Sequence, residues 1–327
     1  MSPTPSQSMS TLRPDLVGAF QEFDLEMNKQ GYIGLQIFPV IEVGLQSDNP
    51  GKVKVEELLF DADTDRAQNG NYNRGSWKFD KWNYATEEHG WEEPIDERTE
   101  KRYANIVDAE VVAAARAYGV ITGNHEKRVA AKLPDTSVWT GATKTTAIVH
   151  EWDDFTNAVP IDDVDAAKKK VWEGTGIWPN ALQINRFQFM NLRNCVQIRD
   201  RIASSGSGES IVPGKITAKM LAEVFDLEMV MIAGSAKNSA KKGQDASISQ
   251  IWSNEYAMVC KVSTSVDHRD PCIGRTFHWS TDGSLIGGLI EEYYEERPRS
   301  RIIRVRHDTD EVVMYTELGH LLSNITT

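Results

Sequence analysis

Residues 161–202 read IDDVDAAKKKVWEGTGIWPNALQINRFQFMNLRNCVQIRDRI, and this stretch decides how the chain is read. Asp162 or Asp163 can cap a helix, because a short carboxylate accepts from the unpaired amides of a first turn. Val164, Ala167 and Val171 then recur at helical spacing. Gly174 and Gly176 stop that helix by taking backbone angles that other residues avoid. Pro179-Asn180 makes a turn, Ala181 to Ile184 reads as a short buried strand, and Phe187 to Ile202 reads as helix again. The unit offers packing surfaces and no exposed nucleophile, base or metal-ligand cluster.

Composition bounds the rest. A chain of 327 residues has room for about two domains and buries roughly three quarters of its unfolded surface. Hydrophobic residues make up 40% and charged residues 26%, the balance of a soluble globular protein. The formal charge is -12, from 48 acidic and 36 basic residues, which argues against tight nucleic-acid binding. Cys195, Cys260 and Cys272 are odd in number and lack CxxC spacing, so they read as reduced, buried thiols. The first ten residues are rich in Ser, Pro and Thr without an apolar core, so no signal peptide is expected. No apolar run is long enough to cross a bilayer.

Four textures follow along the chain. Residues 1–37 form a polar arm with one amphipathic stretch, Leu16 to Met27. Residues 38–93 open with Phe38-Pro39-Val40, continue into strand composition from Val53 to Phe60, and return from Ser76 to Tyr84 after an Asn-rich connection. A lone two-stranded excursion is marginal in water. Its returning strand carries Trp77 and Phe79 on one face and Trp82 and Tyr84 on the other, so it needs two surfaces to bury against. A hairpin folded over its own core is one answer, and an arm lying across another subunit is the other.

From Ile106 to Lys132 a single stripe carries Val107, Val111, Ala114, Tyr118, Ile121, His125 and Val129. Gly119 and Gly123 each weaken this helix by up to about 1 kcal/mol, and Pro134 ends it. Further on, Thr217 can cap a helix that turns Leu221, Val224 and Phe225 inward, and Met229 to Ala233 and Ser247 to Val262 read as strand. Leu289 to Glu296 and Arg301 to Arg306 form an antiparallel hairpin in which Glu291, Glu292, Glu295 and Glu296 face Arg301, Arg304 and Arg306.

This order resembles the major capsid proteins of tailed bacteriophages, with their Hong Kong ninety-seven-type fold. The likeness lies in the helix, Gly176-x-x-Pro179-Asn180 turn, strand and helix, in the Phe38-Pro39-Val40 approach to a long loop, and in the closing Leu318-Gly319-His320-Leu321-Leu322-Ser323-Asn324. It implies an α+β phage capsid fold with an N-terminal arm (1–37), an extended β-hairpin loop (38–93), and a peripheral domain with a long spine helix (94–150 and 287–327). An axial domain (151–286) is inserted between the two peripheral parts. It implies a structural subunit that assembles in the bacterial cytoplasm into hexamers and pentamers of an icosahedral virion shell around double-stranded DNA.

The further partners implied are scaffolding, portal and decoration proteins, with weak, non-specific contact to packaged DNA and no membrane. Trp77, Phe79, Trp82 and Tyr84 are the expected inter-subunit contacts. Some relatives carry a scaffolding region before the arm, for which this sequence has no room. Self-crosslinking, known in such shells, needs a neutral lysine, and Asp80 beside Lys78 and Lys81 favours the charged amine, so a non-covalent shell is expected. The alternatives are an encapsulin-type compartment shell and a cytosolic enzyme of unrecognised family.

The sequence carries no complete signature of a catalytic or metal site. Asp61-x-Asp63-x-Asp65 opens like a calcium loop, but Arg66 stands where Gly is required and Tyr72 where Glu is required. His307, Asp308, Asp310 and Glu311 could hold a metal but read more simply as a polar turn. Gly206-Ser207-Gly208 lacks the rest of any phosphate-binding signature. No catalytic residue, cofactor or metal is assigned.

Overall fold

The 14-residue strand Ser300–Val313 organises the first of two principal sheets. In this computed structural model, residues 11–12, 31–49, 51–66, 68, 70–76, 79–81, 83–98, 101, 108–204, 212–241, 243–265, 267 and 270–326 are described. One edge of Ser300–Val313 pairs antiparallel with Leu289–Glu295 and then with Gly274–Trp279, and the other with Glu87–Asp96. Val40–Val43 adds in parallel to Gly274–Trp279, and Thr11–Leu12 adds to Leu289–Glu295. The expected Glu–Arg ladder is present. Arg304 Nη1 lies 3.3 Å from Glu291, and Arg301 Nε lies 3.0 Å from Glu292.

The helix Ala109–Lys132 crosses this sheet. Asp108 caps it, accepting from the amides of Glu110 and Val111. Ala113, Ala114 and Ala117 bring its backbone close to Ile95, Ile290, Ile303 and Val305, and Tyr118 and Ile121 complete the cluster. The expected stripe therefore faces the core, apart from Val107, which lies outside the described residues.

A second sheet runs Met229–Ala233, Ala181–Asn185, Tyr256–Cys260, Gly319–Ser323, Thr145–Ala147. Both of its faces are covered. Leu182, Ile184, Ala257, Val259 and Leu322 point into a cluster with Val164, Leu192, Ile198, Leu221 and Phe225 from the surrounding helices. Their alternates Ala181, Met258, Cys260 and Leu321 point the other way, toward Ile33, Ile37, Phe38, Val129, Leu133 and Trp139. Period-two alternation between two apolar layers explains why these strands read as unbroken hydrophobic runs.

Several expectations change in detail. The helix Pro160–Thr175 starts at a proline after Val159, which makes no side-chain cap. Asp162 and Asp163 sit in its first turn, where Asp163 accepts from Trp152 Nε1 at 3.1 Å. Gly176, at φ 66°, is the stop, and Gly174 lies inside the helix. The following helix is two, Arg186–Asn194 and Val196–Ile202, because Cys195 takes an extended ψ of 133° between them. Asn185 and Gln188 close a reciprocal capping box on the first, a device the sequence reading missed. Val55–Leu58 is a helical turn within the stretch read as strand.

Gly274–Trp279 pairs with the first sheet, whereas Thr145–Ala147 and Gly319–Ser323 pair with the second. The chain thus passes between the two sheets several times, because strand partners are distant in sequence. From residues 31–37, Ile33 and Ile37 are buried in the core. Leu16 to Met27 lies outside the described residues.

Gly274 lies hard against Phe38. A Cβ there would lie 2.5 to 2.8 Å from three carbons of the fully buried Phe38 ring. Gly274→Ala should destabilise the fold by about 1–3 kcal/mol through overpacking. Urea unfolding midpoints check this, and Phe38→Leu in the same chain should recover part of the loss.

Candidate functional site

Two features stand out from the packing described so far: a projecting loop, and a polar joint buried under the long helix.

The loop leaves the body where Ser47–Asp48 pairs with Tyr84–Ala85, and extends through the antiparallel pair Gly51–Val53 and Phe79–Lys81. Lys52 anchors its base, donating to the Met314 carbonyl at 3.0 Å and lying over the Tyr315 ring. Beyond this pair, Leu59, Phe60 and Tyr72 are 59%, 71% and 70% exposed, an apolar content that this chain does not bury. Leu59 leans on the end of the helix Pro160–Thr175, where a Cβ on Gly176 would lie 3.0 Å from its Cδ1. Asp61, Asp63 and Asp65 are all exposed, and the Asp65 amide donates to Asp63.

Of the four residues expected at an interface, Trp77 and Trp82 lie outside the described residues, as does the side chain of Phe79. Tyr84 has partners within the subunit. It is 6% exposed, stacks on Phe277 at 4.8 Å between ring centroids, and donates to the Leu45 carbonyl at 3.2 Å. It closes the base of the loop from inside the subunit, because the first sheet offers it a flat aromatic partner.

The buried joint was not foreseen. His307, Asp308 and Glu311 sit within the strand Ser300–Val313 and are almost fully buried; they do not form a turn. Arg128, from the long helix, holds Glu311 through Nε and Nη2, at 2.9 Å and 2.9 Å, and reaches Thr309 from Nη2 at 3.0 Å. Lys132 donates to the Glu311 carbonyl and lies 3.3 Å from Asp310. Burial pushes the Glu311 carboxyl up, but its bonds to Arg128 and Thr309 outweigh that and hold it below the usual range.

Three histidines complete the joint. Thr276 gives its hydroxyl proton to the Phe38 carbonyl, so His125 must donate from Nε2 toward Thr276, at 3.2 Å. His307 donates from Nδ1 to the Ile286 carbonyl at 2.9 Å, which leaves its buried Nε2 without a partner among the described residues. His89, on the strand returning from the loop, meets His307 edge to face at 6.0 Å. Burial lowers all three, taking His125 to about 4 and His307 to about 3. The one signal in the sequence was His125, a polar residue on an otherwise apolar helical stripe.

A cleft of about 360 Å³ is lined by Trp178, Pro179, Asn180, Asp226, Leu227, Glu228 and Lys261. Its Asn180 is occupied structurally, donating to Glu228 at 2.9 Å and to the Val262 carbonyl at 3.1 Å. The three thiols are buried, and burial raises Cys195 and Cys260 to about 12. No group of His, Cys, Asp or Glu among the described residues could hold a metal, and no described helix is long and apolar enough to cross a membrane.

The joint sets a pH dependence. The folded histidines stay neutral below the unfolded value near 6.5, so the unfolded chain binds more protons and stability falls as pH drops from about 6.5 toward 4. Around His125, Glu311 pulls its value up while Arg128 and His89 push it down. Glu126, Asp163 and Asp308 are raised and run the opposite way, so the comparison must be made between variants. His125→Gln should remove a pH-dependent loss on the order of a few kcal/mol between pH 6.5 and 4. Unfolding midpoints measured across that range, flatter in the variant than in the parent, check it.

No family model matches the sequence, and no curated protein matches it. Solved structures do match. A phage-related protein from Bordetella bronchiseptica is 18% identical with a TM-score of 0.69, covering 97% of this chain and 99% of its own. The capsid of a cyanophage is 9% identical with a TM-score of 0.56, covering 88% and 86%. An encapsulin from Synechococcus elongatus is 10% identical with a TM-score of 0.52, covering 99% and 92%. At such identities the likeness is one of fold, and it spans nearly the whole of each chain. The chain therefore has the mixed α+β fold seen in phage capsid and encapsulin shell subunits.

Proposed function

We propose that this chain is a structural subunit of an icosahedral shell, the major capsid protein of a tailed phage, which closes around packaged double-stranded DNA. The observation that carries the reading is the loop: an excursion with apolar side chains its own subunit leaves exposed, on a body with the shell-subunit fold. Its partners are other copies of the same chain, arranged as hexamers and pentamers. Scaffolding, portal and decoration proteins join during assembly in the host cytoplasm, and the product resides in the virion.

Trp77, Phe79 and Trp82, in the returning stretch, are the proposed contacts with a neighbour. Leu59, Phe60 and Tyr72 join them on the strength of their exposure. Long helix and first sheet correspond to the peripheral part of such a subunit, and the second sheet with its helices to the axial part. An acidic subunit makes only weak, salt-sensitive contact with DNA.

An encapsulin-type compartment is the second reading, favoured by the likeness to the Synechococcus elongatus encapsulin. The contents separate the two: nuclease-protected DNA in one case, cargo protein in the other.

Replacing residues 54–78 by a short Gly/Ser turn, with Tyr84 kept in place, tests the loop. The shortened chain should keep its unfolding free energy within about 3 kcal/mol of the parent, because Val55 is the one residue among the described ones that the deletion takes from the core. In sedimentation it should remain small where the parent forms closed particles. Regular shells from the shortened chain would show that the loop is no strap.

A further inference from the structure

The strands Ala181–Asn185 and Met229–Ala233 run parallel and in matched register, so both begin at one end of the second sheet and both leave at the other. Each is 5 residues long, which separates the two ends by roughly 16 Å. The charge gathered at one end differs in sign from the charge at the other.

The entry end is acidic. Trp178 leads into the first strand, Asp226 and Glu228 lead into the second, and all three line the same cleft. Trp178, Asp226 and Glu228 are exposed, as are Trp172 and Glu173 in the last turn of the helix Pro160–Thr175 just before them. Lys261 is the one base in the cleft lining. Lys168 lies over the Trp178 ring, but it is buried and paired with Asp165 at 2.7 Å.

The exit end is basic. Asn185 runs straight into the helix Arg186–Asn194, where Arg186, Phe187 and Met190 are exposed. Beyond Ala233 the chain forms the hairpin of Ala236–Asn238 with Ile248–Gln250, where Lys237, Lys241 and Ile248 are exposed. Asn185 Nδ2 lies 3.3 Å from Gln250 Oε1 and ties hairpin to helix. Residues 236–250 carry three lysines against a single acid, Asp245, so the hairpin adds positive charge to Arg186.

Each end therefore presents large apolar side chains within a rim of one charge sign. Exposed hydrophobic residues scattered singly need no explanation, but these are grouped and the two groups match. The ends lie about two screening lengths apart in physiological salt, so within one subunit they do not neutralise each other. A second copy can do so. Like ends repel, which disfavours a two-fold pairing, whereas head-to-tail contact brings opposite signs together.

We propose that the entry end of this sheet in one copy docks against the exit end in the next, with Trp178 and its carboxylates meeting Phe187, Met190 and the lysine hairpin. The pairing stands on these two surfaces; its closure into rings within a shell rests on the shell reading.

Two charge-reversed full-length chains test it. One carries Glu173→Lys and Glu228→Lys, the other Arg186→Glu and Lys237→Glu, and unfolding midpoints establish that each is folded. If the first does not fold, Glu173→Lys alone replaces it. In sedimentation, each variant alone should need at least about tenfold more protein than the parent to associate, because both of its ends now have one sign. Mixed in equal amounts, the two variants offer opposite signs at every contact, and association should return to within about threefold of the parent.

Parent-like association of either variant alone overturns the pairing, as does a mixture of two folded variants that stays apart. If the parent forms rings but no closed particle, the pairing stands and the shell reading falls. If a reversed variant alone still closes into shells, the pairing falls and the shell reading stands. A parent that remains monomeric at every concentration overturns both.

Discussion

The strand Ser300–Val313 is the constraint from which the rest of the body takes its position. It is paired along both edges, and its far end bears Glu311, which the long helix grips through Arg128. A two-pronged guanidinium–carboxylate contact has one geometry, so the helix can neither slide nor rotate on the sheet without breaking it. Because Glu311 is buried, removing Arg128 would strand a charge and cost more than the pair itself contributes. The same strand carries His307, which meets His89 on the strand returning from the loop. Loop, helix and sheet therefore share one joint, and a displacement of any of them is felt by the other two.

Much of this fold was legible because periodicity survives without tertiary context. Val164, Ala167 and Val171 are buried at the spacing expected, and the Glu–Arg hairpin has the register that opposite charges favour. What was not legible depends on partners far away in sequence. His307 to Glu311 looks like a polar turn until the long helix supplies Arg128 and Lys132. Gly319–Ser323 was read beside the hairpin preceding it, yet it pairs with Tyr256–Cys260, where both of its apolar faces are covered. The Phe277 ring on which Tyr84 stacks is likewise invisible in the sequence around Tyr84.

The proposed site is legible in a different sense. Trp77, Phe79 and Trp82 were singled out for having no surface of their own to bury against. Leu59 and Phe60, which share the loop and remain exposed, were passed over because they stood in a stretch read as strand. A helical turn at Val55–Leu58 moves them to the loop's outer part, where pairing no longer dictates which face they show. The division of labour that results is a rigid body, locked by buried ion pairs and alternating apolar layers, and a slender projection with unsatisfied apolar surface.

The central claim is that the chain closes into a shell. Electron micrographs of the purified full-length protein, with sedimentation of the same sample, test it most directly. The account predicts uniform closed particles built of many 36.7 kDa subunits, with few free subunits beside them. A stable, monodisperse monomer or dimer across a range of salt and pH would contradict it.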